Sequence, residues 1–276
     1  MYSVALIKII DRLGLTATAK WIKKQLAHLR LWPKAGFGYS HRNRAYKLLS
    51  GRGLEVGALH IPAYVPASCK MEYCDAISEL EAAQLFPEIA ASSFVKVAYL
   101  VNLDTERLRA KVKPPYDFVI MNHVIEHVAN PIAVLLQLFD VVKPGGTVII
   151  SAPDKYFTFD KARELTPFKH LIDEYRREVS VVADDHYLDF LGCISPNLLN
   201  SGNEEQLALA LQSARRRREH AHVWSSISFL EFLNDVVKHF ELDVVVDFAS
   251  EAKDNNFECF AVLRTRGVEK HAQKTY

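Results

Sequence analysis

The sequence predicts an α/β protein built on a doubly wound, mostly parallel sheet, and two observations indicate this fold. Between residues 50 and 155, short apolar runs alternate with longer amphipathic stretches, as strands alternate with crossover helices. The first apolar run ends in Glu55-Val56-Gly57, where an acid is followed closely by a glycine that permits a sharp turn. Strands are predicted near 53–56, 70–74, 94–100, 116–121 and 146–152.

The clearest helix is predicted over residues 131–142. Pro131 stands at its first position, where the missing N–H costs nothing. A shorter helix, over about 40–49, is predicted to lead into the first strand. The apolar residues of the longer helix recur at helical spacing: Ile132, Leu135, Leu136, Phe139 and Val142.

Residues 155–222 interrupt the alternation and are richer in charged and aromatic residues. Ser201-Gly202-Asn203-Glu204 indicates a capping box before a helix that ends at Arg215–Arg218. Cations at a helix C-terminus suit its dipole, so we interpret the arginine run as a helix-end cluster rather than a nucleic-acid patch. The whole segment is interpreted as an insertion or lid.

A second capping box, Ser228 with Glu231, predicts a further helix, and two strands are predicted over 242–248 and 257–264 with a turn at 254–256. The predicted organisation has four parts: a helical extension (1–50), an α/β core (51–154), a helical lid (155–224), and a C-terminal helix and strand pair that completes the core (225–276).

Composition is that of an ordinary soluble globular protein, with 276 residues, 49% hydrophobic and 24% charged. The four cysteines form no CxxC pair, so neither a disulfide scaffold nor a structural zinc site is expected. A reducing cytoplasm fits this pattern. No apolar run is long enough to span a bilayer.

The first 50 residues are strongly basic, with six lysines and four arginines against the single acid Asp11. Two interpretations stay open for this segment. It could contact an anionic surface, such as the inner face of a membrane or a phosphorylated substrate. Alternatively, it could be a solvated helix face that packs on the more acidic main domain.

Four segments carry a family resemblance: Gly53–His60, Met71–Asp75, Tyr116–His123, and the Lys143-Pro144-Gly145-Gly146 turn with the strand after it. Together they resemble the class I S-adenosylmethionine-dependent methyltransferases over about residues 50–155. The resemblance implies a Rossmann-like, seven-stranded sheet with an antiparallel last strand and S-adenosylmethionine as cofactor.

Two further stretches narrow the resemblance. Val124–Val128 looks like a segment of many small-molecule methyltransferases. Ala152–Asp160, followed by Arg163–Thr166 and His170-Leu171, looks like a bacterial subgroup often associated with surface-polysaccharide biosynthesis. This implies methyl transfer, to oxygen, on a small or glycan-like acceptor. One position departs from the family, because Leu59 stands where a second glycine is usual. Either Ile61 and Pro62 hold the loop open, or the pocket no longer binds the cofactor tightly.

The resemblance assigns cofactor-binding roles residue by residue. Glu55 would anchor the loop and the methionine ammonium, and Gly57 would allow the turn beneath it. Asp75 would accept hydrogen bonds from the ribose diol. The full predicted cofactor set is Glu55, Gly57, Ala58, Asp75, Leu103 over the adenine ring, Asp104 at the adenine amino group, Asn122 and His123.

Methyl transfer to a hydroxyl needs a base near the acceptor, and His123 is the first candidate by position. Asp160 and His170 follow, because they lie in the stretch that resembles the narrower subgroup, and His222 is a further candidate. A histidine in such a position is more often a hydrogen-bonded structural residue. The predicted substrate-binding residues are Lys155, Tyr156, Arg163, His222 and Trp224.

His123 and His127 have the spacing at which two imidazoles can share a zinc ion. We do not predict a metal, because the resemblance already explains His127. Two alternative functions stay open: a methyltransferase for a membrane metabolite such as a quinone or lipid, and a non-catalytic binding protein. Nucleic acid is not an expected partner, because the domain is not basic as a whole.

Overall fold

A computed structural model describes residues 40–87 and 89–267. One seven-stranded sheet has the strand order β3-β2-β1-β4-β5-β7-β6. Strand β7 runs antiparallel to both β5 and β6, and the other neighbouring strands are parallel. This confirms the predicted fold. The strands are β1 (Arg52–Val56), β2 (Lys70–Asp75), β3 (Tyr99–Leu100), β4 (Tyr116–Asn122), β5 (Val142–Pro153), β6 (Val244–Ser250) and β7 (Glu258–Thr265).

Helices lie before and between these strands, and several of them fall in residues 155–224, the segment predicted to be a lid and called the lid below. Around the core are α1 (Ser40–Tyr46), α2 (Glu79–Leu85), α3 (Leu108–Lys111), α4 (Pro131–Val141), α9 (Ser226–His239) and α10 (Ala252–Asn255). In the lid are α5 (Phe168–Arg176), α6 (Asp184–Ile194), α7 (Pro196–Asn200) and α8 (Glu204–Arg217), with 3-10 turns at Lys155–Phe157 and Phe159–Ala162.

The sheet is covered on both faces, as the apolar character of its central strands requires. Alternate residues of β4 point to opposite sides. Phe118 and Ile120 belong to a cluster with Tyr46 of α1. Val119 and Met121 belong to the larger core, which includes residues of α4, α5 and α9. The lid adds a small cluster of its own around Phe190.

The predicted strand 94–100 is shorter in the structure, which places only Tyr99–Leu100 in β3. The backbone before it is bonded elsewhere, because the N–H of Val95 donates to the Leu59 carbonyl and that of Val97 to the Glu79 carboxylate. A parallel ladder therefore starts only at Ala98, whose N–H donates to Tyr73.

Both predicted capping boxes were placed incorrectly. Asn203, not Ser201, caps α8 by accepting from the Gln206 N–H at 3.0 Å. Ser225, not Ser228, caps α9, and Ser228 is the reciprocal partner inside its first turn. In each case a polar residue nearby offers the same local chemistry, and the path of the incoming chain decides which one caps.

The predicted helical extension is described only from residue 40, where α1 begins. Residues 1–39, with most of the basic charge, and residues 268–276 lie outside the described part of the chain. Among the helices formed by residues 40–87 and 89–267, none is long and apolar enough to cross a membrane.

Gly53 in β1 leaves no room for a side chain, which makes it a test of this packing. A Cβ there would lie 2.2 Å from Cε2 of Phe118 and 2.8 Å from Sδ of Met71, and Phe118 is buried. We expect Gly53→Ala to lower the free energy of unfolding by about 1–3 kcal/mol through overpacking, measured by urea denaturation.

Gly267→Ala is the matched control, because no atom of the described residues beyond its chain neighbours lies within 4 Å of a Cβ at that position. It should change the unfolding free energy by no more than about 0.5 kcal/mol. Equal stability of the two variants would contradict the packing of Phe118 against β1.

Candidate functional site

A cleft opens at the carboxyl ends of the strands, next to the junction of β1 and β4, where the strand order reverses. Ligands of open α/β sheets bind at such a point. Gly57, Asp75, Leu103 and His123, each on or just after a different strand, contribute to its lining. Its empty space, including the open mouth, is about 820 Å³. The structure thus brings together four residues that are far apart in the sequence.

The loop after β1 adopts the left-handed backbone conformation twice. Gly57 has φ +73°, and a Cβ there would lie 2.3 Å from Cγ2 of Val124. Leu59 has φ +49°, a conformation that L-residues rarely adopt. Leu59 therefore has the backbone conformation that a second glycine would adopt without strain. Both residues line the cleft.

Glu55 anchors this loop. It is buried, and both carboxylate oxygens accept from the Ala63 N–H at 3.0 Å. Burial raises the pKa of Glu55 to about 7, although this N–H and the Arg42 charge favour the ionised form. Glu55 does not line the cleft, and neither does its loop neighbour Ala58. The contacts of Glu55 are those of a loop anchor.

Asp75 is the last residue of β2 and lines the cleft. Its Oδ1 accepts from the Ile77 N–H at 3.3 Å. Burial raises the pKa of Asp75 to about 6, and the backbone N–H groups and the Arg218 charge oppose this shift. The residue is a half-buried acceptor at the position where the resemblance places the ribose-binding acid.

Leu103 lines the cleft, whereas Asp104 is already bonded on both oxygens. Oδ1 accepts from the Ala129 N–H at 2.8 Å, and Oδ2 from the Arg218 guanidinium at 3.1 Å. Burial raises the pKa of Asp104 against the effect of these two partners. An adenine amino group at Asp104 would therefore have to share an oxygen with one of them.

Asn122 ends β4 but faces away from the cleft lining. Its Nδ2 donates to the Tyr46 hydroxyl at 2.9 Å, and its Oδ1 accepts from the Ser151 hydroxyl at 3.0 Å. The side chain thus ties α1, β4 and β5 together beside the site. His123, the next residue, has φ +54° and turns its ring into the cleft wall.

His123 is held by two carboxylates and one aromatic ring. Its Nε2 lies 2.7 Å from Oε2 of Glu258, its Nδ1 lies 3.6 Å from Oε1 of Glu126, and its ring stacks on Phe257 at 4.6 Å. Burial alone would lower the pKa of His123, but the two carboxylates outweigh it and raise that pKa. An imidazole oriented by a carboxylate is the arrangement of a general base.

Asp160, Arg163 and Lys155 lie inside the lid instead of facing the cleft. The Arg163 guanidinium donates to Asp160 at 2.8 Å and to Asp189 at 2.6 Å, and Asp160 also lies 2.6 Å from Nδ1 of His220. The Lys155 ammonium donates to the Arg163 carbonyl. These contacts join the turns at 155–162 to α6 and to residues 220–221.

The other predicted substrate residues separate into buried and exposed ones. Trp224 and His222 are buried, Trp224 against Phe229 and Phe232 of α9. Tyr156 is exposed at the surface. His170 lies on α5, 3.1 Å from a carboxylate oxygen of Glu174, away from the cleft lining. None of these side chains lines the cleft among the residues that the structure describes.

The sequence analysis did not identify two sets of residues that shape the site. Glu258, which binds His123, is one of many acids in the sequence, and only its burial at the start of β7 distinguishes it. The arginines that end α8 were expected only to cap the helix. Arg216, Arg217 and Arg218 line the cleft, and Arg218 crosses to Asp104 and Asn102.

Comparison with solved structures finds distant similarities to methyltransferases. The chain resembles the plantazolicin methyltransferase BpumL, solved with SAH, at 12% identity and TM-score 0.43, with 82% of this chain and 80% of that chain covered. It also resembles the CurJ carbon methyltransferase at 13% identity and TM-score 0.41, with 79% of this chain and 49% of that chain covered. The chain thus spans about half the length of the CurJ structure.

No curated protein is significantly similar in sequence. The sequence profile described as "Methyltransferase domain", in contrast, matches residues 39–245, well over half of the chain. The chain belongs to the methyltransferase domain family, which confirms the predicted methyltransferase family.

Proposed function

We propose that the protein methylates a hydroxyl oxygen of a small, glycan-like acceptor, with the cleft at the carboxyl ends of β1, β2 and β4 as its active site. The observation that supports this most is the convergence of Gly57, Asp75 and the Glu258-bound His123 on one cleft. When bound, S-adenosylmethionine supplies an electrophilic methyl group.

The residues of the cleft fit such a cofactor. The turn at Gly57 leaves no space for a Cβ, so the backbone itself forms the floor. Asp75 presents a half-buried carboxylate that can accept two hydrogen bonds from a diol. Leu103 offers an apolar surface for a base. Glu55 acts indirectly, through the loop that it anchors at Ala63.

His123 is the proposed general base. A methyl acceptor with a hydroxyl must lose its proton. Because Nε2 of His123 is bonded to Glu258, Nδ1 is the ring nitrogen that can take that proton. The imidazolium formed would be stabilised by Glu258 at 2.7 Å and by Glu126 at 3.6 Å. This is the way in which a buried carboxylate supports a catalytic histidine.

The glycan-like acceptor rests on the resemblance of residues 152–160. Tyr156 and Phe157, in this stretch, are exposed and offer aromatic faces of the kind on which a sugar ring packs. The alternative of a membrane metabolite relies on the basic N-terminus, whose first 39 residues lie outside the described structure.

The acceptor class is tested with purified full-length protein, S-adenosylmethionine carrying a labelled methyl group, and a panel of sugar nucleotides and glycan intermediates. We expect label to enter an oxygen of at least one member of the panel, read by mass spectrometry. Label found only on quinones or lipids, or only on nitrogen, would end the glycan proposal while leaving the enzyme class intact.

Asp75→Asn tests the cofactor site. We expect the affinity for S-adenosylmethionine to fall about tenfold or more, because hydrogen bonds to a charged acceptor contribute about 1.5–3 kcal/mol. Calorimetry measures the change. The exposed Asp140 gives a matched control. Asp140→Asn should bind S-adenosylmethionine with the affinity of the natural protein.

Binding by the natural protein should also weaken as the pH falls through about 6, the raised pKa of Asp75, because protonation removes the charge. The Asp75→Asn variant should lack this dependence. Full affinity in the variant at neutral pH would rule out Asp75 as the ribose acceptor.

His123→Gln tests the base. We expect kcat to fall about 10²–10⁴-fold with little change in the affinity for S-adenosylmethionine. Because the pKa of His123 is raised above its ordinary value of 6.5, the neutral base form accumulates only above that pH. Activity of the natural enzyme should therefore rise with pH through a midpoint above 6.5.

His239→Gln, at the exposed end of α9, is the matched control and should keep both the rate and the pH profile. If the activity of His123→Gln still rose with pH as that of the natural enzyme does, another group would be the base.

A further inference from the structure

Three imidazoles surround one carboxylate where the lid meets the wall of the cleft. His170 and Glu174 lie one turn apart on α5, His186 lies in the first turn of α6, and His222 lies in the segment before α9. One ring nitrogen of each histidine lies within 4.8 Å of those of the other two. His222 and Glu174 are buried, and the side chain of His170 is 35% exposed.

Backbone carbonyls determine which ring nitrogens of His186 and His222 carry the proton when these imidazoles are neutral. Nδ1 of His186 lies 3.0 Å from the Ala221 carbonyl, and Nε2 of His222 lies 3.1 Å from the Val128 carbonyl. A carbonyl only accepts, so each of these nitrogens must carry the proton. The opposite nitrogen of each ring then keeps its lone pair, as histidines that bind metals do when they donate their other N–H to a carbonyl.

Three polar atoms of this cluster have no hydrogen-bond partner that would explain their burial. Nε2 of His170, Nδ1 of His222 and Oε2 of Glu174 are all buried without one. Such atoms are costly unless a ligand satisfies them. Among the described residues, a second group of possible ligands contains His220, but its Nδ1 is bonded to Asp160 at 2.6 Å.

Two of the separations around Glu174 are those of atoms that share one ion. Its Oε1 lies 3.1 Å from Nε2 of His170 and 3.3 Å from Nε2 of His186, and its Oε2 lies 3.7 Å from Nε2 of His222. Two ligands about 2.0–2.1 Å from a tetrahedral zinc lie about 3.3–3.4 Å apart. Nε2 of His170 has no hydrogen-bond partner despite this 3.1 Å separation, so its contact with the carboxylate is not a hydrogen bond.

We propose that His170, Glu174, His186 and His222 bind one zinc ion. Three neutral imidazoles and a carboxylate suit zinc, and four protein ligands close a tetrahedral site, which makes the role structural. The ion would join α5 and α6 of the lid to His222. Through the bond of His222 to Val128, which lines the cleft, it would fix the lid against the cleft wall. The exposed edge of His170 provides an entry path.

Metal titration of the full-length protein tests the site without any activity measurement. Protein purified without a metal column is treated with a chelator, and zinc is added in competition with a chromogenic chelator. We expect saturation at about one zinc ion per chain. The melting temperature should rise by about 5 °C or more when free zinc exceeds its dissociation constant about a hundredfold. Binding weaker than about 1 µM would overturn the proposal.

Substitutions locate the ion. His186→Gln and Glu174→Gln should each weaken zinc binding at least tenfold and remove the zinc-dependent rise in melting temperature. His239→Gln, outside the cluster, should bind zinc as the natural protein does. Equal zinc binding in all three variants would place the ion elsewhere and overturn the assignment.

Cobalt in the same competition adds a readout that does not depend on the variants folding, because a tetrahedral Co²⁺ site in the natural protein absorbs strongly in the visible range.

Discussion

The cleft depends on one buried charge, the carboxylate of Glu258. It lies fully buried at the start of β7, where Arg42 binds both of its oxygens and His41 and His123 lie at 2.7 Å. Although burial would raise its pKa, these partners, with Arg42 foremost, hold the pKa of Glu258 well below its ordinary value. A buried carboxylate without such partners costs several kcal/mol. Helix α1, the end of β4 and the start of β7 therefore hold one another in place around His123.

A second buried network gives the lid its shape. Arg163 has Asp160, Asp189 and two backbone carbonyls as acceptors, which closes the 155–162 turns onto α6 and the segment at residues 220–221. Residues 152–160 resemble a family motif, yet these contacts explain why residues of such a stretch need not contact a substrate. An arginine with five donors can organise several loops at once. At the end of α8, Arg218 extends from the lid to Asp104 on the core, so lid and cleft form one wall.

The features that the sequence predicted well are local ones. The helix from Pro131 follows from a proline at its start and an apolar stripe, and the turn after β1 from the glycine at position 57. Capping was predicted less well. Ser201, Asn203, Ser225 and Ser228 are all competent caps, and the choice among them depends on the incoming chain.

Position 59 shows the limit of a motif. The absent second glycine suggested an altered loop, yet Leu59 holds a positive φ, because the backbone on either side is pinned by Glu55 at Ala63 and by the bond from Val95 to the Leu59 carbonyl. Residue type alone indicates which backbone conformations have a low energy. The contacts around the loop decide which one is adopted.

The sequence by itself determined the order of strands and helices, the acid and glycine after β1, and the acid that ends β2, because periodicity and turn chemistry act over a few residues. Only the tertiary structure decided that Glu258 would hold His123, that Arg163 and His222 would be buried in the lid, and that the arginines of α8 would line the cleft. Those outcomes depend on which distant charge meets each buried polar group, and a buried group must find a partner wherever the fold supplies one.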